Sequence, residues 1–141
     1  MARIEIKLPE KFTFSTDMVI PVAFINRGDH LGNDSLVSCL NEARIRYLAT
    51  VLDKDCQVNG FTMINADLAV NFRSEAYYGE VLRIEVAASD FGRYGCDLVY
   101  RVTEKKSGRL VAEAKTAMLC FDFQAKKLVL APEGFARYFE Q

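Results

Sequence analysis

One long amphipathic segment, followed by four strand-like segments, constrains the fold of this chain more than any other feature. Across residues 35–52 apolar side chains recur every three or four positions, which predicts a helix with one buried face. Asn33 or Asp34 is its expected N-cap. Downstream, apolar-rich segments separated by turn-forming residues predict strands at 61–72, 81–88, 96–103 and 110–123. The order predicts an α+β fold, in which one antiparallel sheet wraps around a single long central helix.

The rest of the chain fits around this core as one domain spanning residues 1–141. Residues 4–8 alternate apolar and charged side chains and predict a strand, and residues 12–25 predict strands or extended chain interrupted by Pro21. Residues 26–35 carry every local signal of a loop. Turns are predicted at 74–80, 90–95, 105–108 and 124–127, and a last short strand at 128–130.

Composition excludes several classes of function. The formal net charge of −1 offers no basic excess for nucleic-acid binding, and no apolar run is long enough to span a membrane. The first residues lack the apolar core of a secretory signal, so a soluble, cytoplasmic protein is expected. Four dispersed cysteines and a single histidine predict no metal site and a reducing compartment.

The loop before the helix concentrates polar groups. Asn26, Asp29, His30, Asn33 and Asp34 fall within nine residues. A helix N-terminus presents unpaired N–H groups and partial positive charge, which suit a developing oxyanion beside a base that activates water. The alternative is structural: Asn and Asp cap the helix, the glycines make turns, and His30 is a polar loop residue.

Several segments together resemble a known family. The string 30–34 (HLGND) is followed, thirteen residues after His30, by Ala43 within the helix segment 41–44 (NEAR). With the turns at 71–80 and 90–93 and the hairpin at 107–114, this order resembles the 4-hydroxybenzoyl-CoA thioesterase-like branch of the hotdog superfamily. The resemblance implies a hotdog fold and an acyl-CoA thioesterase, which releases free acid and CoA. It implies no cofactor, because coenzyme A is part of the substrate.

The resemblance assigns roles within the loop. His30 and Asn33 fall on the family's His and Asn, whereas the family's catalytic Asp falls on Asn26. An amide cannot accept a proton as a general base, so Asn26 is expected to position substrate or water. The base is then His30, Asp29 or Asp34. His30 is preferred because an imidazole ordinarily titrates near neutral pH. A second, gapped alignment places Asp29 in the family's Asp pattern.

Two helix residues raise separate questions. Glu42 is a candidate catalytic carboxylate, although its position opposite the apolar stripe also predicts an exposed pair with Arg46. Arg44 lies on the apolar stripe and is predicted to hydrogen-bond a carboxylate or carbonyl groups.

Other residues are candidates for contacts with coenzyme A and with partner subunits. Arg73, Arg93, Lys105 and Lys106 could meet phosphates or could simply be solvated turn residues. Tyr77, Tyr78 and Gly79 are placed by the resemblance at the entrance for pantetheine. The strands at 96–103 and 110–123 are apolar on both faces, which predicts further cover. The resemblance implies a homodimer joined edge to edge, or a homotetramer, with sites drawn from two chains.

Two other functions compete with hydrolysis. A hotdog dehydratase or hydratase would pair His30 with Glu42. A non-catalytic acyl-CoA-binding protein is favoured by Asn26 at the position of the expected Asp.

Overall fold

The computed structural model describes residues 1–52, 57–58 and 61–140, and Cys56 lies outside these ranges. One long helix, α1 (Asn33–Val51), precedes most of the strands. The strands are β1 (Phe14–Val19), β2 (Gln57–Val58), β3 (Phe61–Phe72), β4 (Val81–Ser89), β5 (Gly95–Glu104), β6 (Leu110–Asp122) and β7 (Lys127–Leu128). Short 3₁₀ turns occupy Val22–Phe24 and Phe135–Phe139.

The strands form one antiparallel sheet in the order β1-β4-β5-β6-β3-β2, with β7 paired to β6. Strands β3 to β6 are the four that the apolar segments between turns predict, and each lies within about two residues of its predicted bounds. Hairpins connect β4 to β5 and β5 to β6. Strand β3 pairs with the edge of β6 that is opposite β5. The prediction of an antiparallel sheet on one long helix is therefore confirmed.

The core lies between α1 and one face of the sheet. The predicted apolar stripe of the helix is buried, from Leu36 and Leu40 to Ala43 and Tyr47. Alternate residues of the central strands point at it, because side chains alternate between the faces of a strand. The fully buried residues of β4 and β5 on this face are Leu82, Ile84, Val86, Leu98, Tyr100 and Val102.

The predicted strand at residues 4–8 is wrong. This segment crosses the outer face of the sheet and lines a groove with Ala69, Ala87, Val99 and Lys115, which come from four different strands. A chain that runs across strands cannot form a ladder with any of them. Side chains hold the segment instead: the Asn71 amide donates to the carbonyl of Ile4 at 2.8 Å, and Arg101 stacks on Phe12. The chain itself thus covers Val99, which is only 3% exposed.

The predicted N-cap is also wrong. Gly32 is the N-cap, and α1 begins at Asn33. The Gly32 N–H donates to the carbonyl of Phe24 at 3.0 Å, and its own carbonyl accepts from Leu36 at 2.9 Å, which sets the start of the helix. Because glycine has no side chain, the cap leaves the first-turn N–H groups without a side-chain acceptor.

No helix in the described ranges is long and apolar enough to cross a membrane. The last predicted strand is shorter than expected and lies at Lys127–Leu128.

Candidate functional site

The polar loop before α1 is a closed turn. The Asn26 N–H donates to the carbonyl of His30 at 2.9 Å, and the Asp29 N–H donates to the carbonyl of Asn26 at 3.1 Å. Asp29 adopts a left-handed φ of 63°, which Asp tolerates better than most residues. The side-chain oxygen of Asn26 accepts from the Gly28 N–H at 2.9 Å. Asn26 therefore shapes the loop that presents His30.

The contacts of His30 define its chemistry. Nδ1 lies 3.0 Å from the carbonyl oxygen of Leu31. A carbonyl only accepts hydrogen bonds, so the neutral ring carries its hydrogen on Nδ1 and its lone pair on Nε2. Nε2 lies 3.8 Å from a carboxylate oxygen of Glu75, and the His30 side chain remains 26% exposed. The ring is held in the form that accepts a proton at Nε2.

A cavity of about 300 Å³ adjoins this ring. Its polar lining comes from the loop, the first turn of α1 and the segment after β3, and its apolar lining comes from α1, β3 and β6. The lining includes His30, Asn33, Ser74, Glu75, Leu36, Phe72 and Val111. A histidine, a helix N-terminus and an apolar wall thus meet at one cavity.

Glu75 is a site residue that the sequence analysis did not single out. It belongs to the turn after β3, which the Leu31 N–H joins to the loop through the carbonyl of Ala76 at 2.7 Å. The Tyr77 hydroxyl donates to Glu75 at 2.9 Å, and this hydrogen bond is the main reason that the pKa of Tyr77 is raised. Nothing in a turn sequence marks this contact, because it joins distant segments of the chain.

Arg109 binds the same turn through two hydrogen bonds. Its guanidinium donates to a carboxylate oxygen of Glu80 at 2.8 Å and to the carbonyl of Glu75 at 3.2 Å. Glu80 in turn accepts from the Tyr77 N–H at 2.8 Å. Arg109 therefore fixes the backbone from which Glu75 faces His30.

The predicted catalytic residues separate into two groups. His30 and Asn33 line the cavity, with Asn26 directly behind them. Asp29 and Asp34 are exposed and do not line it.

Glu42 lies outside the cavity as well. It is exposed and accepts from Arg46 at 3.1 Å, which confirms the exposed pair and leaves the His30–Glu42 arrangement of a dehydratase without support. Arg44 is buried and donates to the side-chain oxygen of Asn41, as its place on the apolar stripe predicts.

The predicted coenzyme A contacts are spread more widely. Arg73 lines the His30 cavity, but its guanidinium is paired with Glu113 at 2.7 Å. Tyr78 and Gly79 line a separate open groove of about 670 Å³, together with Lys105 and Lys106. Tyr77 is exposed in the turn between these two spaces. Arg93 precedes β5 at its opposite end, about 30 Å along the strand from this region.

The described cysteines are packing residues. Cys39, Cys96 and Cys120 are free and buried. Burial raises the pKa of Cys39 to about 11 and that of Cys96 to about 12, so neither is a thiolate at neutral pH. All three therefore act as small buried hydrophobic residues.

A family model for the thioesterase-like superfamily matches residues 20–139. The chain belongs to this superfamily. The match spans the polar loop, α1 and strands β2 to β7, and it begins directly after β1. No curated protein matches the sequence.

Solved structures similar to the chain are hotdog thioesterases and their relatives. A 1,4-dihydroxy-2-naphthoyl-CoA thioesterase from Synechocystis is 16% identical, with 91% of this chain and 96% of that chain covered and a TM-score of 0.78. A 4-hydroxybenzoyl-CoA thioesterase variant, complexed with 4-hydroxybenzoyl-CoA, is 15% identical, with 89% and 97% covered and a TM-score of 0.78. A Staphylococcus aureus protein in complex with CoA is 15% identical, with 96% and 86% covered and a TM-score of 0.80. These similarities confirm the predicted hotdog fold.

Proposed function

We propose that the protein is an acyl-CoA thioesterase that hydrolyses its substrate at the His30 cavity. One observation carries the proposal: Nδ1 of His30 lies 3.0 Å from the carbonyl oxygen of Leu31. This acceptor favours the hydrogen on Nδ1 and leaves Nε2 available as a base beside a helix N-terminus. Membership of the thioesterase-like superfamily supports thioester hydrolysis as the reaction class. The complexes of two similar proteins with CoA-type ligands support coenzyme A as the carrier.

In the proposed reaction, His30 activates a water molecule. Nε2 accepts a proton from the water as its oxygen attacks the acyl carbonyl carbon. Uncapped N–H groups at the start of α1 stabilise the oxyanion, and Asn33 can donate to the same oxygen. The C–S bond then breaks, and the proton on Nε2 passes to the departing thiolate of coenzyme A. Glu75, 3.8 Å away, stabilises the imidazolium between these two transfers.

We also propose a homodimer through the free edge of β3. Among the described residues, β2 pairs only with Phe61 and Thr62, which leaves the rest of that edge unpaired. Leu68 and Phe72 on β3 are each 47% exposed despite pointing towards the helix side of the sheet. An unpaired edge beside exposed apolar groups favours pairing with a second copy, and the His30 cavity borders this strand. Light scattering at twice the mass of the chain would support the dimer.

A thiol-release assay tests the proposed function. Short, medium, long and aromatic acyl-CoAs are each incubated with the native protein and with His30→Ala, Asn26→Asp and Glu75→Gln. We expect native turnover on at least one thioester, a loss of about 10²- to 10⁴-fold in kcat for His30→Ala, and a smaller loss for Glu75→Gln. Glu133→Gln, an exposed residue near the C-terminus, is the control and should retain full activity. Absence of turnover in the native protein, with turnover in Asn26→Asp, would contradict the proposal.

A further inference from the structure

Arg44 is a buried cation that forms no ion pair with any carboxylate of the described residues. The residue is only 9% exposed, and its guanidinium donates to the side-chain oxygen of Asn41. It also lies near the Tyr100 hydroxyl, whose pKa is raised by burial and only partly lowered by Thr116 and Arg44. Within the described ranges, no ion pair joins Arg44 to an acidic side chain. An uncompensated buried charge is costly, so an anion from outside the chain is expected to bind there.

Arg44 lines a cavity of about 310 Å³ between α1 and strands β3 and β6. Val37, Leu40 and Leu68 supply apolar lining, and Asn65 and Thr116 supply polar groups. Asp67 also lines the cavity, but its oxygens accept from Lys115 at 2.8 Å and from the Ala117 N–H at 2.7 Å. The carboxylate that lines the cavity is therefore already engaged.

The Arg44 cavity lies on the same side of α1 as the His30 cavity. Asn33, Val37, Leu40 and Arg44 recur at intervals of three or four residues, which places them along one stripe of the helix. Asn33 and Arg44 are eleven residues apart, or about 16 Å along the axis.

Strand β3 also contributes a residue to each of the two cavities. Phe72 lines the His30 cavity and Leu68 lines the Arg44 cavity, on the same face of the strand. Both side chains are half-exposed, so apolar surface lies open along β3 beside each of the two cavities.

We propose that the Arg44 cavity binds a carboxylate at the far end of the acyl group, so that the preferred substrates are CoA monothioesters of dicarboxylic acids. This inference rests on the proposed function, because it assigns the substrate class of the His30 site. The planar guanidinium matches a carboxylate in a two-point hydrogen bond, and its low exposure strengthens the interaction. The methylene chain lies against Val37, Leu40 and Leu68. The competing occupant is a carboxylate of a second copy of the chain.

Matched thioesters test the substrate class. Succinyl-, suberoyl- and dodecanedioyl-CoA are compared with butyryl-, octanoyl- and lauroyl-CoA, which have the same chain lengths but no terminal carboxylate. We expect the native protein to prefer at least one dicarboxylic member over its match by about 10- to 100-fold in kcat/KM. Arg44→Met should abolish this preference, because kcat/KM for the dicarboxylic thioester falls much further than kcat/KM for its monocarboxylic match. Arg46→Met, an exposed arginine on the same helix, should change neither value. Equal losses on both substrates, or no native preference, would overturn the proposal.

Binding of free dicarboxylates separates this inference from hydrolysis. Suberate should raise the unfolding temperature of the native protein by at least about 2 °C, and octanoate should raise it less. Arg44→Met should lose the suberate effect, and Arg44→Lys, which keeps the charge but not the planar fork, should retain part of it. This result would support the site even if the protein released no thiol. If suberate has no effect and Arg44→Met converts an oligomer to monomers, the guanidinium pairs with a second copy and the proposal fails.

Discussion

Gly95 is the position at which one added methyl group should damage the fold most. A Cβ at this residue would lie 1.8 Å from the carbonyl oxygen of Met118 and 3.1 Å from the Cα of Leu119. These atoms belong to the backbone of β6, so a change of side-chain rotamer cannot relieve the clash. The start of β5 must move by more than 1 Å to restore a separation of 3.0 Å.

That movement strains two hydrogen bonds near the start of the strand. The Gly92 N–H donates to the carbonyl of Gly95 at 2.9 Å, and the Cys120 N–H donates to the carbonyl of Tyr94 at 2.8 Å. Overpacking costs about 1–3 kcal/mol, and each weakened hydrogen bond adds up to about 1 kcal/mol. We therefore expect Gly95→Ala to lower the free energy of unfolding by about 3 kcal/mol. For a chain of this length, that corresponds to a fall in Tm of about 10 °C.

Gly92→Ala is the matched control. Gly92 lies three residues earlier in the same turn and does not require a positive φ. Apart from its two chain neighbours, no heavy atom of the described residues lies within 4 Å of the added Cβ. Its substitution should change the free energy of unfolding by less than about 1 kcal/mol. Urea unfolding followed by circular dichroism measures both variants. The close approach of β5 and β6 would be refuted if the two substitutions had equal effects.

Three further predictions concern the loop beside His30, two buried cysteines and the ion pair of Asp67. Gly28→Ala should reduce kcat about tenfold in a thiol-release assay and leave Tm nearly unchanged in a melting assay, because the added Cβ would lie 3.1 Å from Nε2 of His30. Unaltered turnover would contradict this packing. Cys39 and Cys96 should resist a thiol reagent at pH 8 until the chain is unfolded, because burial raises their pKa values to about 11 and 12. Peptide mapping measures this labelling, and a folded protein that is labelled as fast as the unfolded chain would argue against the burial. The hydrogen bond from Lys115 lowers the pKa of Asp67, so the contribution of this carboxylate to stability is present above about pH 4 and lost as the pH falls further. In denaturant titrations, the difference in free energy of unfolding between the native protein and Asp67→Asn should therefore disappear below that pH. A difference that stays constant with pH would refute the pairing.

The fold was predictable because its main signals are local and periodic. The apolar stripe of α1 and the alternation along β4 determine which faces are buried, and the structure confirms both. Residues 4–8 alternate in the same way but form no strand, since alternation reports one covered face and does not identify a pairing partner. The helix start was misplaced for a similar reason. A hydrogen bond from Gly32 to the carbonyl of Phe24 sets it, and that contact depends on the folded loop.

The candidate site was predictable only in its sequence-local part. His30 and Asn33 stand out because they lie within a short polar segment before a helix. Glu75 does not stand out, because its place beside His30 depends on the turn after β3 docking against the loop through Leu31 and Ala76. The charge environment of Arg44 likewise required the packing of α1 against β3 and β6.

Chemical rescue of His30→Ala by imidazole tests the central claim most directly. Removal of the ring opens space beside a cavity of about 300 Å³, and the native ring is already 26% exposed, so free imidazole can reach the vacated position. If Nε2 of His30 is the base, added imidazole should restore thiol release by about tenfold or more in His30→Ala and should not stimulate Glu75→Gln. Thiol release by His30→Ala that already equals the native rate, or a loss that imidazole cannot restore while the variant remains folded, would contradict the account.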